Sequence, residues 1–128
     1  MLGWRYYDRF GNRLQRFYTV DEEDYGLLAQ VSLGASPSLV YQVPSGRRAV
    51  VEYRSLVNYS AGNRDATLYS GGTADANRIF SVRNLSSGAT ADSSAVLRLG
   101  PGDSIYGEAS AASSIAISLF GYEEPIVV

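Results

Sequence analysis

The chain contains no cysteine, no histidine and no lysine. Each absence removes a class of chemistry. Without cysteine there is no disulfide, no thiol nucleophile and no thiolate metal site. The same absence leaves the redox compartment unmarked. Without histidine the commonest general base near neutral pH is missing, and so is the commonest metal ligand. Ser–His and Cys–His catalysis are therefore excluded, as are zinc sites of the usual kinds. Because lysine is missing, all 11 basic residues are arginine, whose planar fork pairs with carboxylates and stacks on rings. No stretch is long and apolar enough to span a membrane as a helix. The first ten residues, MLGWRYYDRF, lack the apolar core and cleavage site of a signal peptide. The expectation is a protein made in the cytoplasm whose later location depends on assembly.

What the chain does contain points to short strands. At 128 residues it fits one domain, large enough to bury a core without a metal or a disulfide. Thirteen glycines and ten tyrosines stand out. Tyrosine favours pleated, half-buried surfaces, and glycine supplies the turns between strands. The net charge of −2 argues against binding nucleic acid through overall charge.

Composition divides the chain into an arm or hairpin at 1–26, a β-rich domain at 27–122 and a tail at 123–128. In the domain, eight strands are predicted at 27–33, 38–43, 48–58, 65–70, 78–85, 93–99, 103–110 and 114–122. Explicit breakers separate them, among them Gly34-Ala35-Ser36-Pro37, Pro44-Ser45-Gly46, Gly71-Gly72 and Gly100-Pro101-Gly102. Alternation places Val51, Tyr53 and Val57 on one face, with Glu52 and Arg54 on the other. It likewise opposes Ala95, Leu97 and Leu99 to Val96 and Arg98. Ile115, Ile117 and Leu119 oppose Ala116, Ser118 and Phe120. Five large apolar residues, Val50, Leu56, Phe80, Val82 and Phe120, fall opposite the residues placed inward. Either bulges shift the register, or some of these side chains meet another surface. No window carries an amphipathic helix of ten residues or more.

The candidate chemical sites are few. The run Asp21, Glu22, Glu23, Asp24 has oxygen ligands for a hard cation but not the spacing of a calcium loop; a solvated linker is the simpler reading. Glu52, Glu108, Asp65, Asp75, Asp92 and Asp103 are candidates for paired-carboxylate glycoside hydrolysis. Aspartate and serine beside glycine are also the standard turn set, and Asp103 is expected to fix its turn by bonding backbone amides. Gly71-Gly72 and Gly100-Pro101-Gly102 lack the lysine and helix of a phosphate loop. Tyr41, Tyr53, Tyr59, Tyr69, Tyr106 and Tyr122 would suit a sugar-binding face only if they converged. The densest cluster is Trp4, Arg5, Tyr6, Tyr7, Arg9, Phe10, Arg13, Arg16, Phe17 and Tyr18. Its composition fits a single-strand nucleic-acid platform or a protein interface. The acidic chain, with no second basic stretch, favours protein. Ile126, Val127 and Val128, after Pro125, are expected to add along a strand edge of a partner. No cofactor signature and no resident metal are predicted.

From Val43 to Glu123 the sequence runs VPSGRRAVVEYRSLVNYSAG, then ATLYSGGTADANRIF, then LRLGPGDSIYGEAS and IAISLFGYE. This resembles small β-sandwich virion proteins of tailed bacteriophages. Their pattern is V-P-x-G-x-x-A-V at the start of a strand, L-x-x-G-D-x-I-Y-x-x-A-S, and a last strand ending G-x-E. The resemblance implies a virion structural protein, first of all a capsid decoration (cement) protein bound between major capsid subunits as a homotrimer. A neck, tail or fibre component binding another virion protein or a host glycan is the alternative. Residues 1–26 fall outside the matched region. The fold expected is all-β, an antiparallel, jelly-roll-like sandwich of about eight strands behind an N-terminal hairpin or extended arm, and no enzymatic activity is expected.

Overall fold

The breakers fall where the chain turns. The computed structural model describes residues 25–126, without the Tyr25 side chain. It has nine strands over that range: β1 Tyr25–Ser32, β2 Ser38–Gln42, β3 Arg47–Asn58, β4 Arg64–Ser70, β5 Arg78–Leu85, β6 Thr90–Ser93, β7 Leu97–Leu99, β8 Ser104–Ala109 and β9 Ile115–Pro125. A short 3-10 turn at Asp75–Asn77 leads into β5. The turn before β8 shows the local logic. Gly102 sits in the left-handed region at φ 80°, which only glycine enters freely. Asp103 Oδ2 accepts the Gly100 amide at 2.8 Å, the turn role expected of it.

The strands form two antiparallel sheets. The first has the order β1-β9-β3, with β6 and β7 lying end to end along the far edge of β3; the second is β2-β8-β4-β5. Counting β6 and β7 as one interrupted strand gives eight strands in two sheets of four, in the jelly-roll order. Between the sheets lie Leu33, Val43, Val51, Leu56, Leu68, Ile105, Ile115, Ile117 and Leu119, all essentially inaccessible to solvent. Burial on this scale is the main favourable term in folding.

Three expectations are corrected. Val51 and Tyr53 do not share a face, because Glu52 is an extra residue: Val51 pairs with Gly121 and Tyr53 with the very next residue back, Phe120. A bulge of this kind reverses the alternation downstream. Arg54, Leu56 and Asn58 therefore turn inward and are buried, while Tyr53, Ser55 and Val57 turn outward. Second, the strand expected at 93–99 is broken: 94–96 leave the ladder, and Ala95 and Val96 are both exposed. Leu97 and Leu99 still face the core. Third, the last strand runs on to Pro125, pairing Glu123 with Ala49 and Glu124 with Arg48. Arg47 and Arg48 bond Glu123 and Glu124 at 3.1 and 3.0 Å, so charge matching extends the ladder.

The five apolar residues left opposite the core divide between both explanations. Leu56 is brought inward by the bulge, and Phe80 and Val82 pack against the core. Val50 and Phe120 stay on the outer face of the first sheet, between inward neighbours.

Candidate functional site

The arm cluster from Trp4 to Tyr18, the acidic run 21–24, Val127 and Val128 lie outside the described residues. Ile126 is described. Its amide donates to Gly46 O at 3.0 Å, prolonging the β9 ladder, and its side chain is exposed.

The six candidate carboxylates do not gather. Glu52 is the bulge residue of β3. Asp92 accepts the Tyr53 hydroxyl at 2.8 Å, Asp75 pairs with Arg78 at 3.1 Å, and Asp103 caps its turn. Asp65 and Glu108 line a common hollow. Among the described residues there is no group of three or more His, Cys, Asp or Glu placed to hold a metal ion. The six tyrosines do not converge either. Tyr41 is buried in the core, Tyr53 and Tyr122 lie on the outer face of the first sheet, Tyr69 and Tyr106 pair on the second, and Tyr59 sits beyond the end of β3.

The outer face of the first sheet carries an apolar strip. Leu27, Phe120 and Tyr53 form one row across β1, β9 and β3. The Phe120 and Tyr53 rings sit 5.9 Å apart in a tilted arrangement, a favourable geometry for aromatic pairs. The next row holds Tyr122, Val50 and Arg98 across β9, β3 and β7. Beside it opens a hollow of about 590 Å³, with Val50, Leu99, Pro101 and Ile126 among its walls and Arg48, Arg98 and Glu124 at its rim. Leu27 is 52% exposed. An apolar strip with a charged rim is the usual composition of a protein-binding surface. The first strand of this sheet, β1, begins at Tyr25, which pairs with Tyr122.

Hydrogen bonds to carboxylates hold three phenols protonated above the usual tyrosine range. For Tyr41 burial is the larger cause and its bond to Glu123 the second. For Tyr53 and Tyr69 the bonds to Asp92 and Glu108 come first.

Two buried polar groups escaped the sequence reading. Arg54 is 5% exposed and donates to Ser93 Oγ at 3.1 Å and Ala95 O at 2.7 Å, spanning the break between β6 and β7. Burial lowers its pKa. Asn58 is fully buried. Its Nδ2 donates to Gly62 O at 2.7 Å and Leu85 O at 2.8 Å, and its Oδ1 accepts both the amide and the hydroxyl of Ser60. Asn58 and Ser60, with one residue between them at a strand end, suggest a turn but not a buried hub, so no local signal marked it.

The fold and these surfaces define a jelly-roll sandwich module. No protein-family model matches the chain, and no curated protein matches it.

Proposed function

We propose that this chain is a structural protein of a bacteriophage virion, of the capsid decoration type, which attaches through the outer face of its first sheet. One observation carries the reading: the apolar strip of Leu27, Phe120, Tyr53, Tyr122 and Val50, with the adjoining hollow, lies on the sheet whose strand β1 directly follows the arginine- and aromatic-rich segment 1–24 in the sequence. Val50 is already buried, but Leu27 is exposed and Tyr53, Phe120 and Tyr122 keep part of their surface in solvent for a partner to cover. Attachment through an apolar sheet face and an aromatic–arginine arm is what a clip between shell subunits requires, with major capsid protein as the partner and a homotrimer as the working unit. A role in binding rather than catalysis accords with a chain that lacks both histidine and cysteine.

The test is to strip the protein from purified particles and add it back. Stripped shells should form intact but break at lower temperature, and addition of the protein should restore them. A Phe120→Glu variant should fold but fail to restore stability. Shells equally stable with and without the chain would rule the proposal out.

A further inference from the structure

The outer face of the second sheet, on the opposite side of the sandwich, has a different chemistry. Asp65, Thr67, Ser81, Arg83, Glu108 and Ser110 surround a hollow of about 220 Å³. We propose that this hollow binds a single neutral sugar ring. The proposal does not depend on how the other face is used.

The argument rests on which hydrogen-bonding capacity the fold consumes and which it leaves. Asp65 Oδ1 accepts the Asn84 amide at 2.8 Å, and its other oxygen is left over. Glu108 Oε1 accepts the Tyr69 hydroxyl at 2.8 Å, and Oε2 is left over. Ser110 Oγ accepts the Asp65 amide at 3.0 Å, which leaves its own proton to donate. Thr67 Oγ1 and Ser81 Oγ lie 3.1 Å apart, so one hydroxyl proton joins them and the other is spare. The exposed Arg83 guanidinium makes no hydrogen bond or ion pair with any described residue. The hollow thus offers spare acceptors and spare donors side by side.

That mixture selects the ligand class. Arg78 on these walls is already paired with Asp75, so Asp65 and Glu108 face one guanidinium free of any described partner, that of Arg83. The two carboxylates disfavour a bare anion, and the guanidinium opposes a bare cation. A sugar hydroxyl donates and accepts at once. Vicinal hydroxyls can give a proton to a carboxylate while taking one from the neighbouring guanidinium or serine. The size agrees: sites for drug-sized ligands run to about 300–1,000 Å³, so this one has room for one ring.

The groups are held before any ligand arrives. Thr67 and Glu108 are direct cross-strand partners, as are Thr67 and Ser81. Tyr69 fixes Glu108 from below. Asn84, at φ 53°, marks an irregularity in the β4–β5 register, and its amide orients Asp65. Preorganised polar groups on strands lose little entropy on binding. The Tyr69 ring is 3% exposed and covered by Arg78, whose guanidinium carbon lies 5.9 Å from the ring centre. With no open ring to stack on, affinity should fall in the millimolar range.

The test is an amide-resolved NMR titration of the full chain with the methyl glycosides of glucose, galactose, mannose and N-acetylglucosamine, each to tens of millimolar. At least one should produce saturable shifts centred on Thr67, Ser81, Arg83 and Glu108. Arg83→Ala and Glu108→Gln should each weaken that sugar by about tenfold, the loss of roughly one charge-assisted hydrogen bond, with the melting temperature of Arg83→Ala unchanged. The proposal is overturned if no sugar gives saturable shifts, if the shifts map to Tyr53, Phe120 and Tyr122, or if Arg83→Ala binds as well as the parent. A strong preference for N-acetylneuraminic acid over every neutral sugar would overturn the charge-balance argument.

Discussion

Replacing Gly121 with alanine should be among the most damaging single changes in this molecule. A Cβ placed on Gly121 would lie 1.9 Å from Val50 O, 2.9 Å from Val50 C and 3.0 Å from Val51 Cα. All three are backbone atoms, and they adjoin the Glu52 bulge. Val50 and Val51 are held by β9 on one side and β7 on the other, so neither can withdraw without opening the sheet. Overpacking against mobile side chains costs about 1–3 kcal/mol. A clash with fixed backbone belongs in the exceptional class, about 4 kcal/mol or more. At about 4 °C or more per kcal/mol for a domain near this size, the melting temperature should fall by at least about 15 °C. Gly107→Ala is the internal control. There the added methyl would meet Leu33 Cδ2 at 2.8 Å, Leu68 Cδ2 at 3.0 Å and Val40 Cγ2 at 3.3 Å, side-chain ends that can turn aside, so its cost should stay at about 1–3 kcal/mol. Thermal melts by circular dichroism and urea midpoints measure both. If Gly121→Ala melts within a few degrees of the parent, or Gly107→Ala proves the worse, the close approach at the bulge is misassigned.

Further predictions follow from the buried polar groups and the outer face. Asn58→Ala leaves two carbonyls and two serine donor groups without their partner and should cost about 3 kcal/mol in urea unfolding. Asn58→Asp aims a carboxylate at the Gly62 and Leu85 carbonyls, so its folded-state pKa is raised and its deficit should widen as pH rises from about 4 to about 7; a deficit independent of pH would contradict the assigned bonds. Tyr41, Tyr53 and Tyr69 have raised folded-state pKa values. Below about pH 10 both states keep these protons, so the stability is fully present there; above it the unfolded chain ionises first, and stability should decline with rising pH. Ultraviolet titration should show a late-ionising group of tyrosines, and a single uniform transition near pH 10 would refute it. Phe120→Glu, on the outer face, gives up the ring pair with Tyr53 and part of its burial and should cost no more than about 2 kcal/mol of folding stability, leaving the sandwich folded while abolishing attachment to the shell.

Most of the strand plan was legible because glycine, proline, serine and aspartate mark nearly every turn, as at Pro44-Ser45-Gly46 and Gly100-Pro101-Gly102. The Asp103 cap was legible for the same local reason. The faces of β3 were not. The Glu52 bulge is specified by Gly121, a residue far along the chain that lets the backbones approach; the misplaced Leu56 hinted at a register shift in β3, but single-strand alternation could not place it. The break between β6 and β7 was equally hidden, since it depends on the Arg54 guanidinium reaching Ser93 and Ala95. The misfit of Val50 and Phe120 with the alternation was visible and pointed to the outer face. Asp65 and Glu108 were each visible as carboxylates, but their meeting in one hollow follows from the pairing of β4 with β8. The arm residues and Val127 and Val128, singled out for partner contact, lie outside the described residues.

The most direct test of the attachment reading is the stoichiometry of this chain against the major shell protein in purified particles, measured by quantitative mass spectrometry. A decoration protein bound between shell subunits should be present at hundreds of copies per particle, in fixed proportion to the shell. A few copies confined to one vertex or to the tail, or no copies at all, would contradict it.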